Sequence, residues 1–575
     1  MTRQSGSGAA QGGFALRRSG FIGLLFALLV GLVFPTSAQD SLQTVTGWLT
    51  ILHGDPQPGQ AAQGIYRVRL QNNSGDVLSE LIMDDNLAHQ YNRQQVQVQV
   101  TGTAGMTASS VGSMPVLEVQ SITAVDAGVS AQALTGAQPW ANILCKFHNI
   151  SSTPHQPSWY AGLFGTSYPG LDHYFQTISY GNINLTGTSI SSQWFTLPNN
   201  QSGYVVGDNA NLDALAQDCV NKALAGGQNL TGKVGFNFML NGDLGCCAWG
   251  GSVVLSINGS VNVYRSTWMP PWSQTFDVLA HEMGHGFDFP HSTGPAHNPP
   301  RGLNVYVSPY DVMSRSEGAG AYTDLQYGSI PPGTIAYHLD LDGWIPANRK
   351  QTVSPGALTT LTLERLLPQS ASNLLLATIP ISGTNRFYTV EVRDNAPGTY
   401  DQVIYPDSTI PANQSLAVII HLVNPNRSFQ DGQALLVDGD LNNTLMDSGT
   451  RWLAGETYRD ATYCISVKVE SAAATAMTVS ITNFSQNPSS CDIPTLNSYT
   501  QPFDLTWNRI ANTHHYQLQI ANNPQFNTPT INVSDLKYQV TGLTAGAYYW
   551  RVRACFTATS TSCGTWGNST FIILS

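Results

Sequence analysis

Between positions 41 and 125 apolar and polar residues alternate in short runs, most plainly over Gln94-Gln95-Val96-Gln97-Val98-Gln99-Val100. A two-residue period sets one face of a strand on a core and the other towards water. The pattern predicts five strands, at 45–52, 66–70, 77–83, 96–101 and 116–125. A small, polar stretch at 127–139 reads as a linker and processing site. Strands are expected again at 142–147, 234–240 and 253–257, and a packed helix at 211–225, where Leu212, Leu215, Cys219 and Leu224 recur at near-helical spacing. The period becomes helical once more at Phe276, Leu279, Ala280, Met283 and Phe287. Ser273 or Thr275 can cap that helix, and Pro290 cannot continue it. From 349 onwards the pattern is β, with strands at 358–363, 373–379, 387–393, 416–422, 465–469 and 477–482, most simply a β-sandwich. Alternating aromatic strands close the chain at 503–507, 516–520 and 546–554.

This organisation divides the 575 residues into 1–38, 39–130, 138–347, 349–487 and 492–575. The first part reads as a secretory signal peptide: Arg3, Arg17 and Arg18 precede an apolar run at 21–34, and Thr36-Ser37-Ala38 offers cleavage before Gln39. No later run is apolar enough for a stable membrane span after signal cleavage, so a secreted, extracellular protein is expected. Eight cysteines in an exported chain predict disulfides. Cys555 and Cys563 are expected to bridge one hairpin, and the adjacent Cys246 and Cys247 to pair outward. Charged residues make up only 11% of the chain, which suits a secreted β-rich protein. The net charge of −11 speaks against a nucleic-acid partner.

The chemistry lies at His281-Glu282-Met283-Gly284-His285-Gly286-Phe287-Asp288-Phe289-Pro290-His291. Histidines four apart on a helix share a face and can reach one metal ion, and the glutamate beside the first can act as general base towards a water. His291 completes a three-histidine set that leaves one tetrahedral position open, as a catalytic zinc requires. The pattern H-E-x-x-H-x-x-D-x-x-H resembles that of the metzincin metallopeptidases, with aspartate where that family has glycine. Tyr310-Asp311-Val312-Met313-Ser314 resembles their Met-turn. The passage from His173 to Leu185 is similar to one in the gametolysin-like secreted enzymes. The resemblance implies an α+β metzincin-like catalytic domain with His281, His285 and His291 as ligands of one catalytic Zn2+, Glu282 as base and Met313 beneath the histidines. Asp288 must then take a left-handed backbone conformation, which aspartate tolerates better than most residues.

Metzincins bind an extended substrate along an edge strand, and Gly250, Gly251 and Ser252 within Trp249-Gly250-Gly251-Ser252-Val253-Val254 are the candidates for that role; an ordinary glycine-rich turn is the other reading. Asp311 is placed to orient a ligand histidine, whereas His297 and His338 are expected to be structural. All-β modules flank the catalytic domain in this reading. They are an OB-like barrel serving as a pro-segment or a spacer, the β-sandwich, and a C-terminal module resembling a fibronectin type III domain. The first contains no cysteine, so any silencing of a zinc site from it must be steric or use another ligand. Asp438-Gly439-Asp440-Leu441-Asn442-Asn443 could form a Ca2+ loop, a plain turn being the simpler reading. The expected function is a secreted zinc endopeptidase acting on a protein or peptide, extracellular glycoproteins included. The alternative is an extracellular adhesion or polymer-binding protein with a degenerate zinc domain.

Overall fold

The computed structural model describes residues 42–575 apart from 58–63, 110–111, 126–133, 301–305, 315–320, 369–372, 406–414, 486–497, 500, 511–512, 523–525, 545, 560–561, 565, 568–569 and 575. The expected signal segment and most of the expected linker at 127–139 lie outside the described residues.

Five strands, β1 (Leu42–Pro56), β2 (Ile65–Gln71), β3 (Val77–Ile82), β4 (Gln97–Ser109) and β5 (Gly112–Ala124), close into a barrel in the order β1-β2-β3-β5-β4, with β4 returning to β1. The alternation predicted there places Val98, Val100, Leu49, Ile51, Val68 and Leu70 inside. Helix α1 (Asp85–Gln94) lies between β3 and β4 and is capped by the Asp84 carboxylate on the Leu87 N–H. Its mostly polar surface gave little apolar periodicity from which to expect it.

The next region is built on β6 (Trp140–Lys146), β7 (Gly235–Leu240), β8 (Cys247–Ile257) and β9 (Ser260–Met269). β6, β7 and β9 run parallel, and β8 is antiparallel to β9. Successive residues of β6 alternate between two cores: Trp140 and Leu144 face one, Ala141, Ile143 and Cys145 the other. Helices α2 (Pro157–Leu163), α3 (Leu171–Ile178) and α5 (Phe276–Gly286) cover the first core, α4 (Leu212–Ala225) the second, and α6 (Ala336–Leu341) follows the first. Cys145–Cys219 joins β6 to α4.

The expected α+β catalytic domain with its own helical core, flanked by separate β modules, is not what the chain forms. The described residues are mostly β, and their six helices, none longer than 14 residues, lie against sheets. The main sheet runs across the expected boundary, because β1 pairs antiparallel with β8 through Leu52↔Gly251 to Pro56↔Cys247. Periodicity tells which side chains face a core. It does not tell which distant strand supplies the neighbouring edge.

After α6, two sheets face each other over Leu363, Ile379, Val390, Ile420, Val467 and Val479. One holds Leu376–Pro380, Phe387–Asp394, Leu416–Val423 and Ala434–Leu436, and the other Ala357–Glu364, Thr457–Asp460, Ile465–Ala472 and Ala476–Asn483. Strand β10 (Ser292–Thr293), directly after His291, joins the first of these sheets beside Ala434–Leu436. The last module has a five-stranded and a two-stranded sheet around a small core of Leu505, Leu518 and Val540. Cys555 and Cys563 pair as expected, but Cys246 and Cys247 bond to each other rather than outward. No described helix is long and apolar enough to cross a membrane.

Candidate metal centre

Helix α5 is wholly buried. Thr275 takes the N-cap position without a capping side-chain bond, and Asp277 puts a carboxylate in the first turn, where the helix dipole favours it. The C-terminus closes with the Phe289 N–H on the Gly284 carbonyl and the Asp288 N–H on the His285 carbonyl, both 3.0 Å. This is the Schellman arrangement, in which the residue after the cap must be left-handed. Asp288 has φ of 67° and fills that place. The turn it makes brings His291 back over the helix.

Each histidine is tied at Nδ1 to a backbone carbonyl: His281 to Val312 (2.8 Å), His285 to Phe289 (3.0 Å) and His291 to Gln430 (2.8 Å). A carbonyl only accepts, so each Nδ1 carries the proton and each neutral ring presents a bare Nε2 lone pair. The three Nε2 atoms lie 3.1, 3.3 and 3.0 Å apart. Ligands about 2.0–2.1 Å from a tetrahedral zinc are separated by about 3.3 Å, so the donor set fits such an ion. Convergent lone pairs repel one another unless a cation lies among them.

The fourth corner is Asp55 of β1, a residue that reading the sequence missed. Its Oδ2 lies 3.1 Å from Nε2 of both His281 and His285, and its Oδ1 3.3 Å from that of His291. Asp55, His281, His285 and His291 are the one group with metal-holding geometry among the described residues, and all four are buried. Two residues earlier on the same strand face, His53 stacks on the His285 ring at 3.9 Å. Burial and the neighbouring His285 lower the His53 pKa well below the usual histidine range. Burial likewise pushes His285 down to about 3, which keeps its ring in the neutral, ligating form. Burial also opposes charge on Asp55, yet the neighbouring His291 ring holds it well below the usual carboxylate range. The one hint in the sequence was the type and order of residues: His53-Gly54-Asp55-Pro56 ends an alternating strand and sets an imidazole and a carboxylate on one face.

Glu282 follows His281 and is buried, with its carboxylate over the backbone of Gly250, where a Cβ would fall 2.9 Å from Oε2 and 2.4 Å from the Glu282 carbonyl. Gly251, with φ of 135°, faces β1 so closely that a Cβ would lie 2.1 Å from the Ile51 carbonyl oxygen. Ser252 Oγ accepts from the Ile51 N–H and donates to Asn92. The three rim candidates therefore lie between α5 and β1. Met313 sits directly below the helix, its Sδ 2.4 Å from where a Cβ on Gly284 would be. Tyr306 donates its hydroxyl to Asp55 and sets its ring edge-on to His291.

Asp311 does not bond His281, His285 or His291. It accepts from Ser292 and Thr334 and pairs with His338 at 3.1 Å, which ties the segment after His291 to the turn bearing Met313. His297 lies 3.9 Å from Asp438, away from the centre. In the 438–443 loop, Asp438 accepts from the N–H groups of Asp440, Leu441 and Asn443, so its oxygens serve the turn. Burial beside Asp438 and Asp447 pushes Asp440 up to about 7. Comparison with protein-family models and with curated proteins finds no match for this chain.

Proposed function

We propose that the chain is an exported zinc-dependent endopeptidase of the metzincin type. The observation that carries the reading is the convergence of three Nε2 lone pairs, each fixed by a carbonyl at Nδ1, beside a buried glutamate on the same helix. Bound there, Zn2+ would supply a Lewis acid that polarises a peptide carbonyl and acidifies water. His281, His285 and His291 would hold it. Glu282 takes a proton from the attacking water and returns it to the departing amine, so one carboxylate serves both halves of the hydrolysis. The Tyr306 hydroxyl stands where it can donate to an oxygen gaining charge at the position now taken by Asp55. With β1 displaced, Gly250 to Ser252 would offer backbone to an extended peptide. Export, supported by the disulfides and the N-terminal pattern, suits an extracellular protein substrate.

The test compares zinc content and casein cleavage in the parent and Glu282→Gln, each as purified and after limited proteolysis. We expect about one zinc per chain in both and cleavage in the parent alone, with a deficit in the variant of roughly 10²-fold or more. Equal cleavage by the two would remove Glu282 as the base. One observation favours the second reading, an adhesive protein with a non-catalytic metal domain: Asp55 closes the fourth ligand position, and closed coordination is the habit of structural zinc.

A further inference from the structure

The fourth position is closed by a residue of a different module, and the manner of closing is specific. β1 lies antiparallel along β8, in register from Leu52↔Gly251 to Pro56↔Cys247, on the strand that an extended substrate would use. From that strand Asp55 reaches the three histidines and His53 covers His285. The blocking segment is not a loose tail. Residues 48–54 of the same strand pair with β2, and 42–48 with β4, so it is a rib of the barrel.

A second set of contacts, remote from the histidines, holds the barrel in place. His89 Nδ1 and Asn92 Nδ2 of α1 bond Asp288 Oδ1 at 2.9 and 2.7 Å. Arg93 pairs with Asp342 at 2.7 Å. On the same face of α1, Asp85 accepts from the Phe429 N–H and His89 stacks on the Phe429 ring at 3.7 Å. A structural fourth ligand needs none of this. A blocking domain does, because its hold on the site must outlast the competition of water and substrate.

Resting on the peptidase reading, we propose that the N-terminal barrel is an intramolecular inhibitor. The Asp55 carboxylate occupies the ligand position needed by the attacking water, and the end of β1 occupies the substrate strand. The enzyme is latent until the barrel is cut away or displaced. Nothing covalent changes at the site; Asp55 leaves and water enters.

The test uses the full chain with zinc, and with Co2+ in its place, as parent, Asp55→Ala and Asp55→Asn. The readouts are metal content, the visible Co2+ spectrum, affinity for acetohydroxamate and casein cleavage. We expect both variants to keep the metal, to shift the Co2+ bands, and to bind the hydroxamate at least tenfold more tightly than the parent. Casein cleavage should stay low while β1 lies on the substrate strand and rise at least tenfold in each form after limited proteolysis. Asp55→Asn preserves the side-chain shape and guards against a folding defect in the alanine variant. Loss of the metal from both variants would overturn the proposal, because Asp55 would then be a required structural ligand. Retained metal with unchanged spectrum and hydroxamate affinity would also overturn it. Tighter hydroxamate binding with no cleavage in any form, proteolysed chain included, would leave the block standing and remove the peptidase reading instead.

Discussion

Asp288 differs from a glycine in its place on two counts. It accepts a left-handed backbone at the helix end, at a cost of about 1 kcal/mol, and it offers a carboxylate to His89 and Asn92 of α1. Asp288→Gly should therefore preserve the turn and the metal but loosen the barrel. Amide exchange in α1 should quicken, measured by mass spectrometry on the full chain; unchanged α1 protection would show that the latch is elsewhere. Asp342 carries a pH signature. Burial, acting against the nearby Arg93, pushes its carboxyl up to about 7, and Oδ2 has no hydrogen-bond partner among the described residues. A carboxyl raised in the folded state binds its proton more tightly there than in the unfolded chain. Its stabilising contribution is whole below the unfolded value near 4 and is lost as pH rises through about 7. Asp342→Asn should thus gain stability relative to the parent between pH 5 and 8, followed by denaturation midpoints across that range. A flat difference would contradict the shift.

At the scale of elements, β1 is the unusual one, since it belongs to a closed barrel and to the edge of a second sheet at once. Gly251 allows this by keeping a side chain out of the space against Ile51. Gly251→Val would strain that backbone and push the strands apart, at a cost of about 1–3 kcal/mol. Its expected signature is faster exchange over 50–56 with the barrel core unchanged, and equal protection in parent and variant would remove the close approach as a constraint. The helix bearing His281 and His285 was legible because its apolar spacing and its chemistry fall on one short stretch. The β-strands of the barrel and sandwich were legible through alternation. Helix α1 was not, because it is held by polar contacts to Asp288, Pro425 and Phe429 rather than by an apolar stripe of its own. The Cys246–Cys247 bond was also missed, because it closes between neighbours at the bend where β8 begins, and no spacing along the chain marks it.

At the scale of the molecule, the candidate metal centre is a junction of three modules. The helix supplies His281 and His285, the barrel supplies Asp55, and the sandwich fixes His291 through the Gln430 carbonyl and the Phe429 carbonyl on its N–H. Removing metal with a chelator should loosen all three together, because four donors gathered for a cation then face one another uncompensated. Hydrogen exchange should increase over β1 and over 424–433 but not in the C-terminal module at 498–574. A response confined to α5 would show that the centre does not couple the modules. Read alone, the sequence determined the three histidines, the glutamate and the methionine turn, since neighbours on a helix or in a turn are neighbours by covalent geometry. It also determined which residues face a core, since a period of two or of 3.6 is a local property. Only the tertiary structure decided that Asp55 stands among the histidines, that β1 lies along β8, and that Asp288 holds α1. Those contacts join residues about two hundred positions apart. They depend on which strand edges and which buried charges find each other once the chain is packed, and no local period records that.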